Sequence, residues 1–257
     1  MIRTLYTSKS GMNANQNKLD VISNNLANSN TIGYKKVDVG FKDLLNESLN
    51  RKGYPINNKT ANMGTGVKTS EWYRDNGQGN LLETLRGTDL SIDGQGFFKI
   101  IGKDGSSAYT RDGSFSIDGN GRLVDGRGNK VYLEYINGRN EGNTKFTTNN
   151  FLIDKEGSVF LKEEGKFNKV AEIPTYTAIG DESFKSIGEN LYLPMDSANV
   201  YRTRDCDIYQ GVLEGSNVDI VQEFTDMIVT QRAFQLSSKS LTTADEMWGM
   251  INNMRGR

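Results

Sequence analysis

Apolar residues recur every seven positions at both ends of this 257-residue chain. The first series, near the start of the chain, is Leu5, Met12, Leu19 and Leu26, and the second, near its end, is Ile220, Met227, Phe234, Leu241 and Trp248. A seven-residue apolar repeat is typical of helices that supercoil around a partner helix. The sequence therefore predicts one helix over residues 2 to about 30 and another over 217 to about 254, the two pairing as a coiled coil.

Polar residues stand beside both apolar series. In the second helix, Phe224 is followed at seven-residue steps by Gln231, Ser238 and Asp245, whereas Ile22 adds to the apolar column of the first helix. A polar seam residue such as Gln231 commonly fixes the register or the number of partners. Helices this polar need neighbours to be stable, so we expect them to be mobile in the free chain and ordered by contact with other subunits.

Three asparagines, Asn24, Asn25 and Asn28, mark the end of the first predicted helix, and Gly33 follows as a terminator. Asparagine is unfavourable inside a helix but well suited to caps and turns. Two interpretations stay open: the amides cap the helix, or they bond specifically to another element. Asn217 is the expected N-cap of the second helix.

The middle of the chain is rich in turns. Residues 34–80 are polar and predict an extended connector. Between 81 and 210, Asp-Gly or Asn-Gly pairs begin at positions 93, 112, 118, 120 and 125 and separate short apolar runs, which indicates an antiparallel sandwich or barrel. The predicted fold is α+β, in four segments: 1–33, 34–80, 81–210 and 211–257.

Composition argues against several functions. The formal net charge is −1 and the chain has no histidine, so we expect no nucleic-acid footprint, no cofactor and no common general base. The single Cys206 cannot form an intrachain disulfide. No apolar run is long enough for membrane insertion, and the first residues do not resemble a signal peptide.

Two other classes stay open as alternatives. The Asp118–Arg122 turn begins like a calcium loop, which would suit an extracellular adhesin, but an arginine stands where an oxygen ligand is needed. A carbohydrate-acting enzyme would need a pair of carboxylates in a cleft. The adhesin would contain a metal site and the enzyme a catalytic site. We expect the aspartates of these segments to form hairpin turns instead.

Four ordered blocks of residues resemble the bacterial flagellar basal-body rod and hook family. The blocks are residues 11–35, with Ser23-Asn24-Asn25-Leu26-Ala27-Asn28; 64–67; 89–115, with Asp93-Gly94-Gln95-Gly96-Phe97-Phe98 and Tyr109-Thr110-Arg111-Asp112-Gly113; and 210–239, with Gly211-Val212-Leu213-Glu214-Gly215. The resemblance spans both ends of the chain, and residues 137–185 match it little.

The resemblance implies a structural protein rather than an enzyme. It implies export through the flagellar type III apparatus without a cleaved signal peptide, and a place in the basal body outside the cytoplasmic membrane. The expected partners are further copies of the chain in a helical tube, together with neighbouring rod and hook proteins. The opening residues favour the distal part of the rod, with a proximal rod or hook-type relative as the alternative. The two seams and the asparagine cluster are the expected assembly interface.

Overall fold

The computed structural model describes residues 2–44, 46–48, 62–136, 138–148, 150–178, 184–195 and 198–255. The fold is α+β, with a helix near each end of the chain and strands between them. The chain forms two compact units, each built from segments that are distant in sequence. Unit 1 lies within 1–27, 37–73 and 219–257, and unit 2 lies within 28–36 and 74–218.

Unit 1 contains both helices and short β-ribbons. Its elements are α1 (Ile2–Ala27), β1 (Val37–Asp43), β2 (Asn46–Ser48), β3 (Asn62–Gly64), β4 (Val67–Arg74) and α2 (Ile220–Arg255). Strand β1 pairs with β4, and β2 pairs with β3. The prediction of a long helix at each end is confirmed, and α1 ends three residues earlier than expected.

The ribbons lie where the sequence predicted an irregular connector. Val39 of β1 is buried, whereas all residues of β4 are exposed or half-buried. A strand with a single partner and little cover keeps mainly polar residues. Val37, Val39 and Phe41 alternate with other residues along β1, a period-two pattern typical of a strand that the prediction of a connector missed.

Unit 2 contains the remaining strands. They are β5 (Leu81–Glu83), β6 (Leu90–Gly94), β7 (Phe97–Ile101), β8 (Ser107–Thr110), β9 (Ser116–Ile117), β10 (Leu123–Val124), β11 (Lys130–Val131), β12 (Glu134–Tyr135), β13 (Phe151–Ile153), β14 (Ser158–Glu163), β15 (Lys166–Glu172), β16 (Thr175–Ala178), β17 (Phe184–Gly188), β18 (Leu191–Pro194), β19 (Val200–Thr203), β20 (Cys206–Gln210) and β21 (Val212–Glu214).

These strands form antiparallel sheets. The largest runs in the order β17-β18-β8-β7-β11-β10-β9 with β16 and β19 attached, and a four-stranded sheet runs β12-β15-β14-β13. Strands β20 and β6 form one further pair, and β21 and β5 another. No closed barrel occurs among the described strands. One core cluster draws on both large sheets and on β6 and β20, with Phe98, Phe115, Val159, Val170 and Ile208 at its centre.

Candidate functional site

The two helices of unit 1 lie side by side and antiparallel. The Ser8 hydroxyl donates to the Ser240 hydroxyl at 3.2 Å, and Gly11 lies against Ser237. Near the other end of α1, Asn25 Nδ2 lies 3.2 Å from a Glu223 carboxylate oxygen. Residue numbers therefore rise along α1 where they fall along α2, as expected for an antiparallel pair.

The buried column of α2 is small or polar. Glu223, Thr230 and Ala244 are buried, and Ser237 is half-buried. The sequence placed the companion column one residue too late, since Phe224 and Gln231 are exposed in the subunit. Small and hydrogen-bonding side chains allow the close approach at Gly11 and at the Ser8–Ser240 pair, and this selects the polar column over its apolar neighbour.

The predicted heptad residues lie at different depths in the subunit. Half-buried positions are Leu5, Met12, Leu19 and Leu26 on α1, and Met227, Phe234 and Leu241 on α2. Ile22 is buried, whereas Ile220 and Trp248 are exposed. The heptad columns therefore border the contact between the two helices more than they fill it.

Helix α1 buries a second face against the ribbon. The Lys18 ammonium group donates to the Asp38 carboxylate of β1, and Asn17 Nδ2 donates to the Thr69 hydroxyl at 3.2 Å. Burial alone would raise the pKa of Asp38, but the hydrogen bond from Lys18 and the backbone N–H of Val39 outweigh it and lower that pKa. Because α2 covers one face of α1 and the β1–β4 ribbon covers another, more of the surface of α1 is buried than in a two-helix coiled coil.

The three asparagines have different environments. Asn25 is buried, and its side-chain amide donates to the Val37 carbonyl at 2.8 Å while its oxygen accepts the Val37 N–H at 3.0 Å. Asn28 accepts the Thr31 hydroxyl at 3.2 Å within the turn that follows α1. Asn24 is exposed. Asn25 therefore bonds to another element of unit 1, while Asn28 acts locally in a turn.

The outer face of α2 exposes several large apolar side chains, with the charged Arg232 and Lys239 among them. Val221 is 75% exposed and Leu236 is 69% exposed, with Ile228 and Val229 between them. Monomeric proteins seldom expose contiguous apolar patches unless these serve for binding.

Helix α2 is also longer than its partner. It has 36 residues against 26 for α1, and the Ser8–Ser240 register places the start of α1 opposite about residue 246. The part of α2 beyond that point carries exposed Met247, Trp248, Met250, Ile251 and Met254. This apolar extension has no α1 residue opposite it.

Unit 2 contains a cluster of three buried charges. The Glu214 carboxylate accepts the Lys35 ammonium group at 2.7 Å and the Arg111 Nε–H at 2.6 Å. Gly79 N–H also donates to this carboxylate at 2.9 Å, and Lys35 donates to the Gly77 carbonyl at 2.7 Å. All three charged side chains are at most 3% exposed, so the cluster joins three distant parts of the chain away from water.

The cluster shifts the pKa of its members. Burial lowers the pKa of Lys35, and the nearby Arg111 guanidinium lowers it further. Burial alone would raise the pKa of Glu214, but Arg111 and Lys35 together hold it below its ordinary value. The carboxylate is thus the group on which both cations depend, and an ion pair of this kind is costly to break.

No local sequence pattern predicted this cluster. Lys35, Arg111 and Glu214 are more than seventy residues apart along the chain, and no periodicity links them. They do lie in three of the four blocks that carry the family resemblance, which was the available signal. Charged residues within a family signature can thus form buried ion pairs with one another instead of lying at the solvent-exposed surface.

The start of α2 differs from its prediction. Asp219, not Asn217, caps the helix, since its carboxylate accepts the N–H groups of Val221 and Gln222 at 2.9 and 3.1 Å. Asn217 instead joins backbone segments within unit 2. It accepts the Lys36 N–H at 2.6 Å and donates to the Asp75 carbonyl at 2.9 Å.

Other possible centres find no support among the described residues. No group of His, Cys, Asp or Glu side chains there could hold a metal ion. The Asp118 carboxylate accepts the backbone N–H groups of Asn120 and Arg122, and these bonds close the turn between β9 and β10. No helix in the described part of the chain is long and apolar enough to cross a membrane.

Comparison with known proteins finds three matching family models. Residues 5–35 match the flagellar basal body rod protein model, residues 91–161 the flagellar hook protein FlgE/F/G D1 domain, and residues 209–254 the flagellar basal body rod FlgEFG protein C-terminal model. Several relatives carry the name flagellar basal-body rod protein FlgG. The Borreliella burgdorferi protein is 36% identical over 99% of both chains. The Bacillus subtilis protein is 36% identical and the Buchnera aphidicola subsp. Acyrthosiphon pisum protein 34% identical, each over 99% of this chain and 100% of its own.

Proposed function

This chain belongs to the flagellar basal-body rod protein family, and on that premise we propose how it serves as a structural subunit of the rod. Its helix pair makes the contacts between subunits of the distal rod, a helical tube that transmits torque from motor to hook. Unit 2 is the outer, self-contained part of each subunit. The chain has no catalytic role and needs no cofactor.

The observation that carries this proposal is the exposed apolar face of α2. Val221, Ile228 and Leu236 lie on the surface of the subunit, and the apolar extension of α2 lies beyond the start of α1. Burying such a side chain contributes about 1.5–3 kcal/mol. An assembly in which each helix meets the helices of neighbouring subunits would remove this surface from water.

We assign the assembly interface to the two seams and the asparagine cluster. The residues are Leu5, Met12, Leu19, Ile22, Asn24, Asn25, Leu26, Asn28, Ile220, Phe224, Met227, Gln231, Phe234, Leu241 and Trp248. The half-buried and exposed members can contact neighbouring subunits directly, and coiled-coil packing would form as they become covered. Ile22 and Asn25 are buried within the subunit and act by holding α1 in place.

Weak helix pairing within the free subunit suits export. The buried column of α2 consists of small and polar side chains, so we expect the two helices to separate at low cost in the free subunit. A chain with loosely held ends can pass through the flagellar type III apparatus and order its helices on assembly. Its expected location is the basal body, outside the cytoplasmic membrane.

The test is motility of cells in which a variant replaces the native protein. Phe234→Asp places a charge on the half-buried seam of α2, and we expect loss of swimming with normal protein levels. Leu19→Asp on α1 should act in the same way. Phe167→Asp is the matched control, because this phenylalanine is an exposed residue of β15 in unit 2.

The outcomes separate assembly from folding. Circular dichroism and limited proteolysis of each purified variant should show an intact β-rich unit 2 in all three. Normal swimming of both seam variants would contradict the proposal. Loss of swimming by Phe167→Asp alone would move the essential contact to unit 2.

A further inference from the structure

Asparagine followed by glycine is a pair in which the backbone can attack a side chain. The nitrogen of the glycine can reach the side-chain amide carbon of the asparagine, and glycine has no side chain to hinder the approach. Asparagine is one of the thermolabile residues of proteins. Such pairs begin at positions 76, 120 and 137 of this chain. The structure describes the first two in full, whereas Asn137 lies outside the described residues.

The segment around Asn76 places a carboxylate at the attacking nitrogen. The Gly77 N–H donates to the Asp75 carboxylate at 2.8 Å. This distance lies within the reach that a general base needs to the proton it removes. Loss of that proton makes the nitrogen a nucleophile, so the Asp75 carboxylate lies where the reaction requires a base.

The backbone on both sides of Asn76 is anchored within unit 2. The Asp75 N–H donates to the Lys36 carbonyl at 2.9 Å. The Gly77 carbonyl accepts the buried Lys35 ammonium group at 2.7 Å. These bonds hold the Asp75 carboxylate and the Gly77 nitrogen in a fixed relation to each other.

The side chain of Asn76 is free to turn. It is exposed and lies in a segment without regular secondary structure. Among the described residues, none forms a hydrogen bond with it. Its amide carbon can therefore approach the Gly77 nitrogen without first breaking a bond.

The second pair, Asn120-Gly121, differs from the first in both respects. The Asn120 side-chain amide donates to the Asp118 carboxylate at 3.3 Å, so the side chain is tied within its turn. The Gly121 N–H donates to the Asp118 backbone carbonyl at 3.0 Å, and a neutral carbonyl oxygen is not a base. The same two residues are thus placed for reaction at one position and held back from it at the other.

We propose that Asn76 is a site of spontaneous deamidation in the folded protein, with the Asp75 carboxylate as the general base. Asp75 takes the proton from the Gly77 nitrogen, which attacks the side-chain carbon of Asn76 and expels ammonia, and the proton leaves with the ammonia. The cyclic imide that forms is opened by water at either of its carbonyls. The products are aspartate and isoaspartate at position 76, with a water consumed and ammonia released.

Isoaspartate at position 76 affects the buried charge cluster. It adds a carbon atom to the main chain directly before Gly77, whereas aspartate leaves the main chain unchanged. The Gly77 carbonyl is then displaced from the Lys35 ammonium group, and a buried donor that loses its acceptor is destabilising. The reaction therefore links an exposed segment to the stability of unit 2.

The first test follows the reaction in the folded, full-length chain. The protein is incubated at neutral pH in water enriched in heavy oxygen, and mass spectrometry after trypsin digestion locates the incorporated label. We expect the label at position 76 long before it appears at Asn120, which is the matched control in the same molecule. Equal rates at the two positions, or no label at position 76, would overturn the proposal. The reaction needs no second copy of the chain, so this result is independent of the proposed function.

The second test examines the base. Asp75→Asn keeps an acceptor for the Gly77 N–H but removes the group that takes up the proton. Labelling at position 76 should slow on the order of a hundredfold, the lower end of what general bases contribute, while labelling at Asn120 should not change. Asp75→Ser also offers an acceptor without a base and should behave in the same way. Wild-type rates at position 76 in both variants would exclude Asp75 from the reaction.

The third test separates the two products by thermal melting. Asn76→Asp reproduces the aspartate product and should melt at the temperature of the fresh wild type. Wild-type protein aged until isoaspartate predominates should melt at a lower temperature. Asn76→Ala cannot react at this position, so the same ageing should leave its melting temperature unchanged. Equal melting of aged wild type and aged Asn76→Ala would contradict the link to the charge cluster.

Discussion

The two units place their large apolar side chains differently. Unit 2 encloses many of them, with Phe98, Phe115 and Val159 fully buried in one cluster, while others such as Leu85 and Phe167 stay exposed. Unit 1 buries small and polar side chains between its helices, such as Thr230 and Ala244, and leaves larger ones exposed on α2. Unit 2 has a hydrophobic core of its own. Unit 1 exposes apolar side chains that contact with other subunits would cover.

This contrast indicates how one chain can be both stable and ready to assemble. A close-packed aromatic core stabilises unit 2 without help from neighbours, and its buried charge cluster is costly to break once formed. A helix pair held by small residues and a few hydrogen bonds is only marginally stable, and it gains stability when its outer face is covered. Stability should therefore depend mainly on unit 2 and assembly mainly on unit 1.

Glu214→Ala should have the largest effect. It leaves Lys35 and Arg111 buried without their shared carboxylate, and removing one partner of such a pair costs about 3–5 kcal/mol. Urea unfolding, monitored by far-ultraviolet circular dichroism, should show this loss as a lower free energy of unfolding. Glu163→Ala removes the partner of Arg139 at the surface and should leave the transition where it is. Equal stability of the two variants would place the main support of unit 2 elsewhere.

Ile228→Asp should separate assembly from stability. Because Ile228 is exposed in the subunit, the free energy of unfolding should change by less than about 0.5 kcal/mol. Assembly should be lost, since a charge would replace an apolar contact on the outer face of α2. Sedimentation measures the assembly, with Leu152→Asp at the exposed surface of unit 2 as the control. A variant that unfolds more easily yet still assembles would reverse the comparison.

Acid should destabilise unit 2 through Glu214. The pKa of this carboxyl in the folded protein lies below its ordinary value of 4.5, so the unfolded chain takes up the proton first as the pH falls. The stabilisation is complete above about pH 4.5 and is lost below it, as the pH approaches the folded pKa. Thermal melts between pH 6 and pH 3 should show this slope. In Glu214→Gln the slope should be shallower, and an unchanged slope would exclude Glu214 as its source.

Gly11→Ala should have the smallest effect, and it should stabilise. An added methyl group would lie 3.4 Å from the Ser237 hydroxyl oxygen, which is ordinary van der Waals contact. Alanine inside a helix is about 0.5–1 kcal/mol more favourable than glycine. Amide hydrogen exchange of α1 in the free subunit should slow accordingly. Faster exchange would mean that the helices approach too closely at this point to accept a methyl group.

Local patterns predicted the elements of this fold well where one physical rule dominated. The seven-residue apolar spacing predicted a long helix at each end, and Asp-Gly pairs such as Asp118-Gly119 predicted hairpin turns in unit 2. The strands β1 and β4 were missed although Val37, Val39 and Phe41 alternate with other residues along β1, and the helix cap was assigned to Asn217 instead of Asp219. Asn217 and Asp219 could each cap a helix or bond to another backbone segment, and only the surrounding structure decides which bond each one makes.

The sequence by itself determined the secondary structure of both ends, the β-rich middle and the family resemblance, because each follows from short-range spacing or from ordered blocks of residues. Only the tertiary structure decided which column of α2 is buried, since that depends on the close approach of the helices at Gly11. It also brought Lys35, Arg111 and Glu214 together and left Leu85 exposed. Burial and long-range pairing depend on the path of the whole chain, and no local pattern encodes them.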